Sequence, residues 1–261
     1  MSSDLSSTPR GKSARKPIRR AVSSGVAAAA SPSIQTTRLE AYDEAVQGTA
    51  HPIDRFGATQ RDCARAFSGA IEAAHHSNGR VDVPAGEWHV EVPIELRSGV
   101  SLHLHAGASL VFHAEGRAYP RSSRSRDDAV PGIVARDCER IAISGPGRVM
   151  SSGRLVGVGS VSPLLQLIDC RDVLLRDFAF AHAMVDAVSI SLTSCANVVI
   201  DGVEDPRPRG TFLHLRGRHT RGIRLVDSRR DGPIVRPAIV LAVDVPHDAL
   251  LDIDESSVGA A

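Results

Sequence analysis

The chain has 261 residues, enough for one large domain or two small ones, with 42% hydrophobic residues and a formal charge of +1. That charge gives no global attraction to nucleic acid or membrane, and neither is expected as a partner. Aromatic residues make up only 3%, so the core is aliphatic and stacking platforms for bases or sugar rings are few.

Residues 1–48 stand apart from the rest. Arg10, Lys12, Arg15, Lys16, Arg19 and Arg20 crowd this segment, and no lysine follows Lys16. The stretch PIRRAVSSGVAAAASPSI has paired arginines followed by small residues, as twin-arginine export signals do, but it lacks a strongly apolar run. Two readings stay open: an export signal, with a secreted or periplasmic protein, or a disordered tail on a cytoplasmic one. No apolar run reaches the roughly 18–20 residues of a transmembrane helix.

The first strong element is helical. In CARAFSGAIEAAHHSNG, Phe67, Ala70, Ile71 and Ala74 fall at helical spacing and Asn78-Gly79 is a stop signal, so a helix is expected over about 63–77. From residue 80 the periodicity changes. Segments 132–145, 164–177, 188–202, 211–228 and 238–254 share one plan of alternating apolar strand, short polar turn and second alternating strand. Repeats at this spacing indicate a solenoid. Strands of three to five residues with few helical signals specify an all-β fold, a parallel β-helix with coils stacked in register. The helix before it would cap one end, over a β-helix domain spanning 49–254, and 255–261 would be a flexible tail.

Cys138, Cys170 and Cys195 each lie three residues before the first apolar residue of a second strand, namely Ile141, Val173 and Val198. Equivalent positions in successive coils would stack these thiols as a ladder of small buried residues. Neither these nor Cys63 form a CxxC pair. His103 and His105, two apart on one strand, share a face in a spacing metals use, but no third ligand is evident, and no metal or other cofactor is expected.

Residues 53–112 carry a family resemblance. Phe56-Gly57-Ala58, Gly79-Arg80-Val81, Val83-Pro84-Ala85-Gly86, Trp88, Pro93-Ile94, Leu96, Ser98, Val100 and Leu102-His103-Leu104 match the opening of polygalacturonase-type glycoside hydrolases. CERIAISGPGRV and DCRDVLLRDFAFAHAMVDAVSISLTSCANVVIDGV resemble the coils that follow. The chain thus resembles the pectin lyase-like right-handed parallel β-helix proteins. Pectate lyases, epimerases and tailspikes share that architecture.

The resemblance implies inverting hydrolysis of a pectin-like, anionic polysaccharide. A carboxylic acid would protonate the leaving oxygen while carboxylates across the groove activate water. The family draws these groups from an N-T-D strand, a D-D pair, a G-H-G turn and an R-x-K strand, and none is intact here. Asp127-Asp128 lies upstream of the expected coils, and Ser189 stands where the family carries a histidine. In NVVIDGVEDPRPRG, Asp201 and Asp205 are the candidate acids, and Arg207 and Arg209 are candidates for holding a uronate carboxylate. A polar turn between coils explains the same residues without catalysis. His182 and Asp186 lie where the family approaches its substrate, and they read equally as coil-packing residues.

The sequence therefore predicts a shortened polygalacturonase-like hydrolase, weakly active or inactive. Two alternatives remain: a carbohydrate-binding or structural β-helix, and a relative of the β-helix lyases and epimerases. The oligomeric state is left open.

Overall fold

The computed structural model describes residues 48–113, 130–152, 156–157, 160–161, 163–182, 188–205, 210–228 and 239–253. It begins with strand β1 (Ala50–Pro52), a 3-10 turn over Ile53–Phe56, and helix α1 (Ala64–Ser77). As predicted, α1 buries Phe67, Ala70, Ile71 and Ala74, with Ala66 beside them, and it stops at Asn78 in the left-handed conformation.

The chain then winds through three parallel sheets in a fixed order. The coils run β2 (Arg80–Val83), β3 (Gly86–Val90), β4 (Ile94–Leu96), then β5 (Ser101–Leu104), β6 (Ala108–Phe112), β7 (Ile133–Arg136). Next come β8 (Glu139–Ser144), β9 (Arg148–Ser151), a two-residue hairpin β10 (Val156–Gly157) and β11 (Ser160–Val161), and β12 (Leu165–Ile168). β13 (Arg171–Arg176), β14 (Ala179–His182) and β15 (Val188–Thr193) form the following coil. β16 (Ala196–Asp201) and β17 (Thr211–Arg216), then β18 (Arg221–Val226) and β19 (Ile239–Leu241), and finally β20 (Leu250–Ile253) complete the solenoid. The first sheet is β1-β2-β5-β8-β13-β16-β18-β20, the second β3-β6-β9-β14 and the third β4-β7-β12-β15-β17-β19. The expected parallel β-helix is what the chain forms.

In-register stacking builds the core. Ile143, Leu175, Ile200 and Leu225 form one inward row of the first sheet, and Ile133, Leu165, Ile190, Leu213 and Ile239 one of the third. All of these but Ile239 are essentially inaccessible to solvent. At roughly 1.5–3 kcal/mol for each buried aliphatic side chain, such rows are the main stabilising term. Cys138, Cys170 and Cys195 are buried and unbridged, and each thiol donates to the carbonyl two residues earlier, at Arg136, Ile168 and Thr193. This is the predicted ladder. Thr220, also fully buried, takes the next rung, since Arg221 pairs with Ala196 just beyond Cys195.

The three corners differ. From third sheet to first the chain turns within two residues at 137–138, 169–170 and 194–195. Asp137, Asp169 and Ser194 there hold φ of 51°, 52° and 54°, and Gly217 continues the column. A Cβ on Gly217 would lie 2.4 Å from the Ser194 hydroxyl, which explains why the column ends in glycine. From second sheet to third the connection varies from residues 91–93 to residues 113–132. Variable insertions in a solenoid gather on one edge, often the binding edge, and here that edge is the corner between the second and third sheets.

At the far end the exposed large hydrophobics collect. Apart from Phe56, those among the described residues are Leu241, Val243 and Leu251, all in the last coil.

Candidate functional site

Asp201 ends β16 with its side chain on the outer face of the first sheet, in register with Arg176 of the coil before. The Arg176 Nε donates to Asp201 Oδ2 at 3.1 Å, and the two side chains are 25% and 27% exposed. The chain then turns at Gly202, inserts Val203 into the core and lays Glu204 beside Ala179 of the second sheet. Asp205 follows at the variable corner, where it is only 1% exposed. It accepts a 2.5 Å hydrogen bond from the hydroxyl of Ser189, near the start of β15. The two candidate acids are therefore held on different legs of one coil, each by a partner from the previous coil. Arg207, Arg209, Asp127, Asp128 and Asp186 lie outside the described residues, as does the side chain of His182.

Beside that corner, the outer face of the third sheet carries a polar row. Gln166, Ser191 and His214 stand in register, between Val134 on one side and Val240 on the other. A second row runs Arg136, Ile168, Thr193, Arg216, with both arginines exposed. Burial, reinforced by the Arg216 guanidinium, holds the His214 imidazole below its ordinary pKa, so it is a neutral hydrogen-bonding group near pH 7. The strip can hydrogen-bond hydroxyls and meet an anion at Arg136 and Arg216. Sequence reading missed these residues. Aligning LLQLID, VSISLT and TFLHLR on their core leucines and isoleucines would have placed Gln166, Ser191 and His214 on one line.

A groove of about 410 Å3 follows the opposite, tight corner, lined by Ser98, Asp137, Cys138, Glu139, Asp169 and Arg171. The Arg171 guanidinium binds Glu139 through Nε at 2.7 Å, and it holds that carboxyl below the usual range. His103 and His105 meet edge to face with centroids 4.8 Å apart. His103 Nδ1 lies 3.1 Å from the Ser144 hydroxyl, and His105 Nε2 lies 3.8 Å from Asp82, whose carboxylate is held by Arg80. Among the described residues, no three His, Cys, Asp or Glu side chains converge as a metal site. Among them, too, no helix is long and apolar enough to cross a membrane.

No family model and no curated protein matches the chain. Solved structures do. A "putative glycosyl hydrolase" from Parabacteroides merdae superposes with a TM-score of 0.62 at 16% identity, covering 78% of this chain and 96% of that one. The family 28 exopolygalacturonase of Yersinia enterocolitica gives 0.57 at 17% identity, covering 69% of this chain and 42% of its own. The chain therefore has the pectin lyase-like right-handed parallel β-helix fold of the polygalacturonases, and at this identity the likeness is one of fold.

Proposed function

We propose that this β-helix binds a pectin-like, anionic polysaccharide along the outer face of its third sheet and hydrolyses it weakly or not at all. The observation that carries the second half is the state of Asp205. Inverting hydrolysis requires an acid and a base facing each other across an open groove, about 6.5–9.5 Å apart. Asp205 is enclosed and bound to Ser189, while Asp201 is committed to Arg176 on another sheet. The first half is supported by the Gln166–Ser191–His214 row and the adjacent row that carries Arg136 and Arg216, beside the corner that carries the insertions. The exopolygalacturonase among the structural neighbours acts within the same fold.

Affinity electrophoresis in gels containing polygalacturonate tests the binding. Wild type should be retarded, and Arg216→Ala together with Arg136→Ala should migrate several-fold less retarded, since exposed guanidinium–carboxylate pairs are worth about 0.2–1 kcal/mol each. Equal migration with and without the polymer would end the binding reading.

A further inference from the structure

The second sheet carries an arrangement that polysaccharide binding does not use. Val90, Phe112 and Ser151 stack in register, and the backbones of His113 and Ser152 extend that ladder by one rung. His113 N–H donates to the Val90 carbonyl at 3.1 Å, and Ser152 N–H to the Phe112 carbonyl at 3.0 Å. Neighbouring strands sit about 4.8 Å apart, so this rung sets Ser152 beside His113 on the outer face. His89 is placed diagonally, two residues back on β3. Its own N–H donates to the Gln60 carbonyl at 2.8 Å, and its carbonyl accepts from the Cys63 thiol at 3.1 Å.

The side chains form a line. Ser152 Oγ lies 2.8 Å from His113 Nδ1, and His113 Nε2 lies 2.6 Å from His89 Nδ1. His89 Nε2 faces Glu87 Oε1 at 3.5 Å. The two imidazoles are within 29° of coplanar, with centroids 4.8 Å apart, so they meet nearly end to end through those nitrogens. One proton assignment satisfies both hydrogen bonds: Ser152 donates to His113 and His113 Nε2–H to His89 Nδ1, which leaves the His89 Nε2–H turned toward Glu87. Two nitrogens binding one tetrahedral zinc at about 2.0–2.1 Å would stand roughly 3.3 Å apart, so the observed spacing suits a shared proton better than a shared ion.

We propose that Ser152 is a nucleophile, activated by the His113–His89–Glu87 relay, that reacts with short acyl esters. An exposed hydroxyl, a base within hydrogen-bond reach and a third group orienting the base are the signature of such a centre. Ser152 Oγ attacks the ester carbonyl carbon and passes its proton to His113 Nδ1. The resulting charge spreads through the 2.6 Å contact onto His89, which faces Glu87. Collapse of the adduct breaks the bond to the alcohol oxygen, which takes the proton back from His113. Water then repeats the sequence on the acyl-serine, releasing the carboxylic acid and regenerating the hydroxyl.

The test uses the full chain with p-nitrophenyl acetate and with an alkyl fluorophosphonate, followed by peptide mass mapping. Wild type should release nitrophenolate in a burst and carry one phosphonyl group on Ser152. Ser152→Ala should carry none, and His113→Asn should label on the order of 100-fold more slowly, the scale of a lost general base. Glu87→Gln, an exposed change, should slow labelling without moving the unfolding midpoint. Labelling equal in Ser152→Ala, or no burst with Ser152 labelled no faster than other surface serines, overturns the proposal. So does an acyl group found on His89 or His113. Stoichiometric zinc binding to wild type, lost in His113→Asn, would likewise overturn it, as it would make the pair a metal site.

Discussion

Replacing Asp205 separates its structural role from a catalytic one. The carboxylate is 1% exposed and takes a 2.5 Å bond from the Ser189 hydroxyl of the preceding coil. Hydrogen bonds to a charged group contribute about 1.5–3 kcal/mol, and removing one partner leaves the other's desolvation uncompensated. Asp205→Ala should therefore cost at least about 1.5–3 kcal/mol, a factor of roughly 10–150 in the folding equilibrium constant. Asp201→Ala removes a quarter-exposed ion pair with Arg176, which should cost at most about 1 kcal/mol. Urea unfolding followed by circular dichroism reads both. The denaturation midpoint should fall clearly for Asp205→Ala and little for Asp201→Ala, with similar slopes. An Asp205→Ala midpoint equal to wild type would refute the reasoning, because a carboxylate that can be deleted without cost is not integral to the corner.

Other consequences follow from burial and stacking. Burial pushes the Cys63 thiol up to about 11, and the side-chain hydrogen bond to the Cys170 thiol, together with burial, raises Cys138 as well. Both should resist iodoacetamide at pH 8 in the folded protein and react on unfolding; fast folded-state alkylation of Cys138 would contradict the buried ladder, and of Cys63 its burial at the start of α1. His103 and His214 are both held below the ordinary imidazole pKa, chiefly by burial. The unfolded chain then binds more protons, so stability is full above about pH 6.5 and declines as pH falls below it, as the urea midpoint between pH 7.5 and 5 would report. Leu213→Ala, in the inward row of the third sheet, should cost about 2–5 kcal/mol in the same assay. Asn197, at φ 56°, donates through Nδ2 to Asp172 of the coil before at 3.0 Å. Asn197→Ala removes that bond and leaves a strained φ, so it should lower the midpoint more than Asn197→Gly does.

The solenoid was legible because its signal is local and repeated. Alternation within each strand, the constant offset from Cys138, Cys170 and Cys195 to the next apolar residue, and the helical spacing of Phe67, Ala70, Ile71 and Ala74 all sit within a few residues. The candidate site was only partly legible, because coil stacking decides which outward side chains become neighbours. Nothing in EDPRPRG says that Asp205 will be enclosed. That depends on Ser189, sixteen residues earlier, whose hydroxyl stands where the resemblance expected a histidine. The Ser152–His113–His89 line joins positions 39 and 24 residues apart, and only the register of β3, β6 and β9 reveals it. The acidic groove was missed for a different reason: Asp137 and Asp169 read as turn residues, which they are, and their stacking is a property of the column.

Hydrolysis of polygalacturonate is the most direct test of the central claim, that the polysaccharide is bound without effective cleavage. Reducing-end release should be compared for wild type, Asp201→Asn and Asp205→Asn at matched folded concentration. The account predicts release at or near background for wild type and no further loss in either variant. Robust release by wild type that disappears in Asp205→Asn or Asp201→Asn would contradict it, and would make that carboxylate a catalytic acid or base.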